Sequence, residues 1–166
     1  MLPIALNPQM VTAGLAGEGE PLQRRLSMLR RAEVEPVSVA LDARDFAGLT
    51  LLYVAGVERV RAAELAGRAR AARVLVNVED RPELCDFHVP AIVRRGDLIV
   101  AVSTGGRVPT LATRVREWLE HRFDDDWGDR VDELGAQRVR WRAEGVPIEE
   151  IAGRMRRIID EKGWLP

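Results

Sequence analysis

The stretch VTAGLAGEGEPLQRRLSMLRRA, residues 11–32, predicts a strand followed by a tight turn and a helix. Its first part, VTAGLAG, is short, largely apolar and interrupted by glycine, as in a buried strand. Leu22, Leu26 and Leu29 then share one helical face, and Pro21 suits the first turn of a helix, where its missing N–H group costs nothing. A strand joined to a helix in this way is the repeating unit of an α/β fold.

Gly17 and Gly19 occupy the turn between this strand and this helix. Glycine there lets the backbone pass close to a pyrophosphate, and the N–H groups of the helix N-terminus point at the same place. The pattern predicts a dinucleotide-phosphate site, although an ordinary strand-to-helix turn explains the same residues. Leu22 replaces the third small residue of the dinucleotide pattern, and we expect it to push helix and strand apart. Asp42 ends a later strand, where an acid could hold the ribose hydroxyls of NAD.

The next segments continue the alternation of strand and helix. PVSVALD (residues 36–42), LTLLYVAG (49–56) and RVLVNV (73–78) are near-continuous apolar runs that predict buried strands, and the alanine-rich segment 58–72 predicts a helix. Apolar strands separated by helices indicate a parallel sheet covered on both faces. We therefore predict a shortened Rossmann-like α/β domain over residues 1–88.

Residues 89–166 follow a different pattern. AIVRRGDLIVAVST, residues 91–104, has two apolar runs around Arg95-Gly96-Asp97, which predicts a β-hairpin. From Thr113 onward the chain is predicted to be helical, with a break between the last two helices at Gly145 and Pro147.

Two acids, Glu79 and Asp80, directly follow the predicted strand at residues 73–78. Alternation along a strand would direct them to opposite sides. The carboxyl end of a parallel strand is also where open α/β sheets bind their ligands. Asp80 is accordingly a candidate for chemistry, and the alternative is that it caps the next segment.

The composition excludes several classes of protein. A net charge of -1 and a pI of about 6.2 give no argument for a nucleic-acid or membrane partner. No signal peptide is recognisable, and no apolar run approaches the roughly 20 residues that cross a bilayer. The single cysteine, Cys85, fits a reducing compartment, so we expect a cytoplasmic protein in which this side chain is a small apolar filler.

No metal site is predicted. His88 and His121 lack the spacing of metal ligands and are interpreted as structural. The run Asp124-Asp125-Asp126 could bind a metal, but it is more typical of a solvated helix start, where acids complement the helix dipole.

Several of these segments together resemble the siroheme synthase dehydrogenase/ferrochelatase family. The resemblance lies in LPIALN, in AGEGEPLQRR and in VLVNVEDRPELCDFHVPAIVRRGDLIVAVSTGGRVPTLATRVREWLE, and it covers roughly residues 2–122. Its most specific motifs are N-V-x-D followed by F-x-x-P, and A-V-S-T-G-G-x-x-P. It implies NAD-dependent oxidation of precorrin-2 to sirohydrochlorin, with ferrous iron as a second substrate if siroheme is then formed.

The resemblance also implies which residues form the site. Asp80, the fourth residue of N-V-x-D, would be the catalytic base, because both reactions release protons. The implied cofactor-binding residues are Gly17, Gly19, Glu20, Pro21, Asp42, Ala55 and Gly56. The implied substrate-binding residues are Asn77, Ser103, Thr104, Gly105, Gly106, Arg107 and Arg114.

Small residues and hydroxyls at 103–106 would let the backbone approach a flat ligand, although a glycine turn into a helix near Pro109 explains them too. Arg107, Arg114 and Arg116 could clamp the carboxylates of the macrocycle, and a solvated helix face explains them equally well.

Two features depart from the family pattern, and both lie on the cofactor side. The family's A-T-D-D-like turn reads Ala55-Gly56-Val57-Glu58 here, and the stretch between Ala32 and Leu49 has room for one strand instead of two strands and a helix. An enzyme that only chelates metal, or a non-catalytic tetrapyrrole-binding protein with a degenerate NAD site, is therefore the alternative. In either case the resemblance implies a homodimer, in which the hairpin joins its copy in a shared sheet.

Overall fold

The computed structural model describes residues 2–165, which form two compact units that divide between Val89 and Pro90. None of the helices in this part of the chain combines the length and the apolar character needed to span a membrane. Each unit has its own sheet and its own helices.

A four-stranded parallel sheet organises the first unit, in the order β2-β1-β3-β4. The strands are β1 (Ala13–Gly17), β2 (Val37–Ser38), β3 (Leu51–Ala55) and β4 (Leu75–Val78), and the two helices are α1 (Gly19–Arg31) and α2 (Arg59–Ala71). This is the Rossmann-like α/β arrangement predicted from the sequence. Both faces of the central strands are covered, which explains why β3 is buried at every position.

The two faces of the sheet carry separate apolar clusters. On the α2 face, Leu52 and Val76 are fully buried against Leu65 and the alanines of the helix. On the α1 face, Leu15, Tyr53 and Leu29 form the cluster, with Leu22 and Leu26 packed against it. The helical face predicted from the leucine spacing is thus confirmed.

The prediction of a buried strand at PVSVALD was wrong in length and in burial. Only Val37–Ser38 forms a strand, and both residues are exposed. Within the described part of the chain the strand lies at the sheet edge and pairs only with β1, so one side of it has no neighbouring strand. The chain then turns at Leu41-Asp42, where the Arg68 guanidinium donates hydrogen bonds to the carbonyl oxygens of Leu41 (2.7 Å) and Ala43 (2.9 Å).

The chain after β4 folds back over the opposite edge of the sheet. Asp86 donates its N–H to the Val76 carbonyl oxygen at 2.7 Å, and its carboxylate accepts the Val76 N–H at 2.9 Å. Arg70 of α2 donates to the same carboxylate at 2.8 Å, which holds the returning segment in place. Because the outer N–H and carbonyl groups of β4 are satisfied in this way, this edge is closed to further pairing.

The second unit consists of an antiparallel hairpin and three helices. The elements are β5 (Ala91–Arg95), β6 (Leu98–Val102), α3 (Pro109–Glu120), α4 (Trp127–Ala143) and α5 (Ile148–Glu161). Gly96-Asp97 forms the two-residue turn of the hairpin, and Gly145 and Pro147 lie in the break between α4 and α5, as predicted. The first helix of this unit starts at Pro109, as expected for a glycine turn at residues 103–106, and therefore four residues before the Thr113 at which the helical pattern was predicted to begin.

Helix α3 packs on the hairpin, where Val93 and Ala112 are buried. At the start of α4, Asp126 is the N-cap position, and the Arg130 guanidinium lies 3.4 Å from Asp124 and 3.7 Å from Asp126. The aspartate run is therefore an ion-paired helix start.

Candidate active site

Three turns meet at the carboxyl edge of the parallel sheet. β1, β3 and β4 end at Gly17, Ala55 and Val78, and the register places Gly17 opposite Ala55 and Val54 opposite Val78. The turns at these strand ends contain Gly17 and Gly19, which are the predicted phosphate-binding glycines. They also contain Gly56 and Asp80. Ligands of open parallel sheets bind at this edge.

The turns after β1 and β3 touch each other through their backbones. Glu18 donates its N–H to the Ala55 carbonyl oxygen at 3.2 Å. Gly17 has a φ of +130°, and a Cβ atom there would overlap the same oxygen of Ala55. Gly56 has a φ of +68°, and a Cβ atom there would overlap the carbonyl oxygen of Glu18. Both positions therefore require glycine for conformation and for space.

The N-terminus of α1 has no side-chain cap. Glu18 is the N-cap residue and makes no capping hydrogen bond, so the first N–H groups of the helix are left for another acceptor. A Cβ atom on Gly19 would meet only the Pro21 ring, at 3.6 Å, so the backbone there is uncovered. Glu20 adds a negative charge to this turn, and an exposed ion pair at 2.8 Å joins it to Arg24. An open, dipolar helix start with bare backbone fits a phosphate group.

The N-terminus of α2 is different, because its own side chain fills it. Glu58 accepts hydrogen bonds from the N–H groups of Val60 at 2.9 Å and Arg61 at 3.4 Å. The acid in the altered turn is thus a helix cap, a role that the sequence did not indicate because glutamate is not among the residues preferred at N-caps. Asp42 is exposed in the turn after β2, the strand next to β1. Its contact with the ribose hydroxyls of NAD stays a prediction.

Asp80 lies just past the end of β4 with an exposed side chain and a φ of +56°. Its carboxylate has no hydrogen-bond or ion-pair partner within residues 2–165, while its carbonyl oxygen accepts a bond from Arg81 at 3.0 Å. Strand alternation does not set its direction, because β4 ends at Val78 and the left-handed backbone turns the chain. Left-handed backbone outside glycine is uncommon and is concentrated at functional sites.

Asn77, Tyr53 and Phe87 lie together on the α1 side of the sheet. Asn77 is opposite Tyr53 in the β3–β4 register, and the Tyr53 and Phe87 rings meet edge to face at 5.3 Å. The Asn77 amide donates to the Phe87 carbonyl oxygen at 2.9 Å, and its Oδ1 is buried without a partner among residues 2–165. Burial also raises the pKa of the Tyr53 hydroxyl. Asn77 is only 4% exposed, so its contact with a substrate stays a prediction.

Cys85 does more than fill space. Its Sγ accepts the Val78 N–H at 3.2 Å and lies 3.2 Å from the carbonyl oxygens of Val78 and Arg81, either of which can accept the thiol proton. Burial of the thiol raises the pKa of Cys85, which keeps it protonated as a donor. The thiol therefore closes the loop that presents Asp80.

In the second unit, the turn after β6 is held by its own hydroxyl groups. Ser103 accepts the Gly105 N–H at 3.2 Å, and Thr104 accepts the Val108 N–H at 3.1 Å. Gly105 and Gly106 both have positive φ values, 66° and 76°, and a Cβ atom on Gly105 would meet nothing within 4 Å. The backbone of this turn is thus open to a ligand.

The arginines near this turn fall into two groups. Arg114 pairs with Glu117 at 2.9 Å and Arg116 with Glu120 at 2.6 Å, which fits the interpretation as a solvated helix face. The exposed Arg107 guanidinium has no partner in the described part of the chain. No cluster of three or more His, Cys, Asp or Glu side chains suited to a metal ion occurs among residues 2–165.

Comparisons with known proteins agree with this architecture. Residues 11–91 match a family model described as "Putative NAD(P)-binding". The siroheme synthase of Methylococcus capsulatus (strain Bath) is 36% identical over 141 residues, which is 72% of this chain and 30% of the relative. The siroheme synthase of Methylobacillus flagellatus is 30% identical over 182 residues, which is 96% of this chain and 38% of the relative. The chain thus spans little more than a third, at most, of these relatives.

A solved structure named SirC, precorrin-2 dehydrogenase, has the same fold, with a TM-score of 0.72 at 18% identity. The match covers 99% of this chain and 92% of that one. The fold, the matched dinucleotide-binding segment and the sequence relatives lead to one conclusion: the chain belongs to the siroheme synthase N-terminal family.

Proposed function

We propose that this protein catalyses the NAD-dependent oxidation of precorrin-2 to sirohydrochlorin in siroheme biosynthesis. The observation that carries the proposal is that the uncapped α1 N-terminus lies at the same edge of the sheet as the exposed carboxylate of Asp80, which has no partner within residues 2–165. The likeness to siroheme synthases and to a precorrin-2 dehydrogenase supports the choice of reaction.

NAD would lie along the turns after β1 and β3. Its pyrophosphate would accept hydrogen bonds from the first turn of α1, and the backbone at Gly17, Gly19, Ala55 and Gly56 would allow its close approach. Glu20 and Pro21 form the rim of this turn, and Asp42 at the neighbouring strand end would hold the ribose hydroxyls. When bound, NAD supplies the acceptor for the hydride that leaves the macrocycle.

Asp80 would take the proton that the oxidation also releases. Its carboxylate has no competing cation or hydrogen-bond donor within residues 2–165, so an oxygen is available to a C–H or N–H group of a bound macrocycle. Loop 78–85 fixes its place through the Cys85 thiol and the Val78 backbone.

The turn after β6, in the second unit, would take part in binding the macrocycle. Ser103, Thr104, Gly105 and Gly106 offer an open backbone turn, and Arg107 offers a guanidinium with no partner among residues 2–165 for a substrate carboxylate. Arg114 would join it by exchanging its helical partner Glu117 for the substrate.

The direct test is to supply precorrin-2 and NAD and to follow the absorbance of sirohydrochlorin and of NADH. We expect both products in equal amounts. NADH formation at the level of a protein-free control would reject the dehydrogenase. Adding ferrous iron in a second assay separates the alternatives: siroheme formed from sirohydrochlorin without NAD indicates a chelatase, and tight binding of the macrocycle without turnover indicates a binding protein.

We also propose that the protein is a homodimer built on the hairpin. β5 and β6 form a two-stranded sheet with no third strand in the described part of the chain, and Ile92 and Ile99 are 38% and 45% exposed. Two strands alone are marginally stable in water, so a second copy of the hairpin would both extend the sheet and cover the isoleucines.

The dimer predicts that Ile99→Asp weakens self-association by about tenfold or more, because a charge would be buried in the shared face. Sedimentation equilibrium over a range of concentrations measures this. Val60→Asp, at a valine that is 62% exposed on α2, is the matched control and should leave the association constant unchanged. A monomeric wild-type protein at all concentrations would contradict the proposal.

A further inference from the structure

Glu79 carries a carboxylate that is nearly enclosed between α1 and the end of β4. Its side chain is 13% exposed, with Arg24 Nη2 at 3.6 Å and Arg25 Nε at 4.0 Å from the same oxygen, Oε1. The Arg30–Glu35 pair at the other end of α1 is different, because its side chains are 56% and 68% exposed. The contact between Glu79 and Arg25, which is 20% exposed, is therefore largely shielded from solvent, whereas Arg24 is 55% exposed.

Shielding makes these contacts significant although they are longer than hydrogen bonds. Exposed ion pairs are weakened by water and salt, whereas charges at the same separation interact more strongly where solvent is excluded. Arginine stays charged at all ordinary pH values. Without the Glu79 carboxylate, Arg25 would have no acidic partner among residues 2–165, and Arg24 would keep only its exposed pair with Glu20.

The backbone of Glu79 is fixed as firmly as its side chain. Its N–H donates to the Val54 carbonyl oxygen at 2.9 Å, which adds one more step to the β3–β4 ladder. The next residue is Asp80, where the backbone turns into the left-handed region. Glu79 thus joins the sheet to α1 at the last position before the candidate base.

We infer that Glu79 is a positioning residue, which sets the distance between the Asp80 carboxylate and the open N-terminus of α1. The inference rests on the proposed dehydrogenase function. A hydride acceptor held by α1 and a proton acceptor on the turn after β4 must both reach the reacting part of the same substrate molecule. A displacement of about 1 Å between such groups reduces turnover by up to about a hundredfold.

The kinetic test compares Glu79→Gln with Glu79→Asp. The glutamine keeps the shape and loses the charge, and we expect kcat to fall by about tenfold and the KM for NAD to rise severalfold. The aspartate keeps the charge on a shorter side chain and should recover most of kcat. Recovery by aspartate distinguishes a charge contact from packing, which glutamine preserves better.

Glu35→Gln is the matched control, because it removes the exposed partner of Arg30, a residue of the same helix α1. It should leave kcat and the KM for NAD unchanged. Equal kinetics for Glu79→Gln and wild type would overturn the inference, and so would equal losses in Glu79→Gln and Glu35→Gln.

Amide hydrogen exchange tests the positioning without requiring any activity. If Glu79 joins the two elements, Glu79→Gln should speed exchange severalfold in both segment 19–25 and segment 78–84, while α2 stays protected. Faster exchange in only one of these segments, or in neither, would overturn the inference. If the wild-type protein fails to oxidise precorrin-2 yet both segments loosen, the proposed function is rejected and the structural link between α1 and β4 stands.

Discussion

Replacing Asp80 by asparagine is expected to lower kcat for precorrin-2 oxidation by about a thousandfold, the middle of the range for loss of a general base. Asparagine has the same shape and is one of the few residues that accept a left-handed backbone, so the φ of +56° at this position should persist. What it loses is the capacity to take up a proton. The dissociation constant for NAD should stay within about twofold of the wild-type value, because Asp80 is not among the implied cofactor contacts.

The measurement is steady-state turnover with a parallel NAD titration by calorimetry. Asp45→Asn is the matched control: Asp45 is exposed and accepts the Ala47 N–H at 2.9 Å, a bond that the asparagine oxygen can still accept. Turnover of the Asp80→Asn variant within a factor of about two of wild type would exclude Asp80 as the base. An equal loss of activity in Asp45→Asn would point to a general defect of folding.

The regular elements could be predicted because local pattern and burial agree in them. The leucine spacing of α1, the apolar runs of β3 and β4 and the Gly96-Asp97 turn each have one favourable structure, and the structure has it. The prediction of a buried strand at PVSVALD was wrong because an apolar run does not reveal whether a strand is central or lies at the edge of a sheet. At an edge, Val37 and Ser38 pair on one side only, and the rest of the run forms a turn held by Arg68.

The sequence could predict which turns lie at the candidate site, but it could not predict the backbone conformation of those turns. Parallel strands bring their carboxyl ends to one edge, so Gly17, Gly56 and Asp80 were expected together. The backbone at Asp80 could not be foreseen, because the loop that contains it is closed by the Cys85 thiol and by the returning segment at the β4 edge. Such long-range contacts leave no periodic signal in the sequence.

The other large expected effect concerns Gly17. Gly17→Ala should lower the free energy of unfolding by about 3 kcal/mol or more, since it combines backbone strain at a φ of +130° with overlap of the Ala55 carbonyl oxygen. That oxygen belongs to the backbone of a buried central strand and has little room to move. The turn after β1 must then separate from the turn after β3, which breaks the Glu18–Ala55 hydrogen bond and distorts the proposed phosphate site.

Urea denaturation followed by circular dichroism measures the change in stability, and an NAD titration of the folded variant measures the change in affinity. Gly67→Ala is the matched control, because Gly67 lies within α2 with nothing within 4 Å of its missing Cβ. There alanine should stabilise the protein by up to about 1 kcal/mol through its higher helix propensity. If Gly17→Ala unfolds at the same urea concentration as wild type, the two turns do not approach each other closely. The argument that their glycines are needed for the cofactor would then fail, because a turn with room for a methyl group does not need a bare backbone.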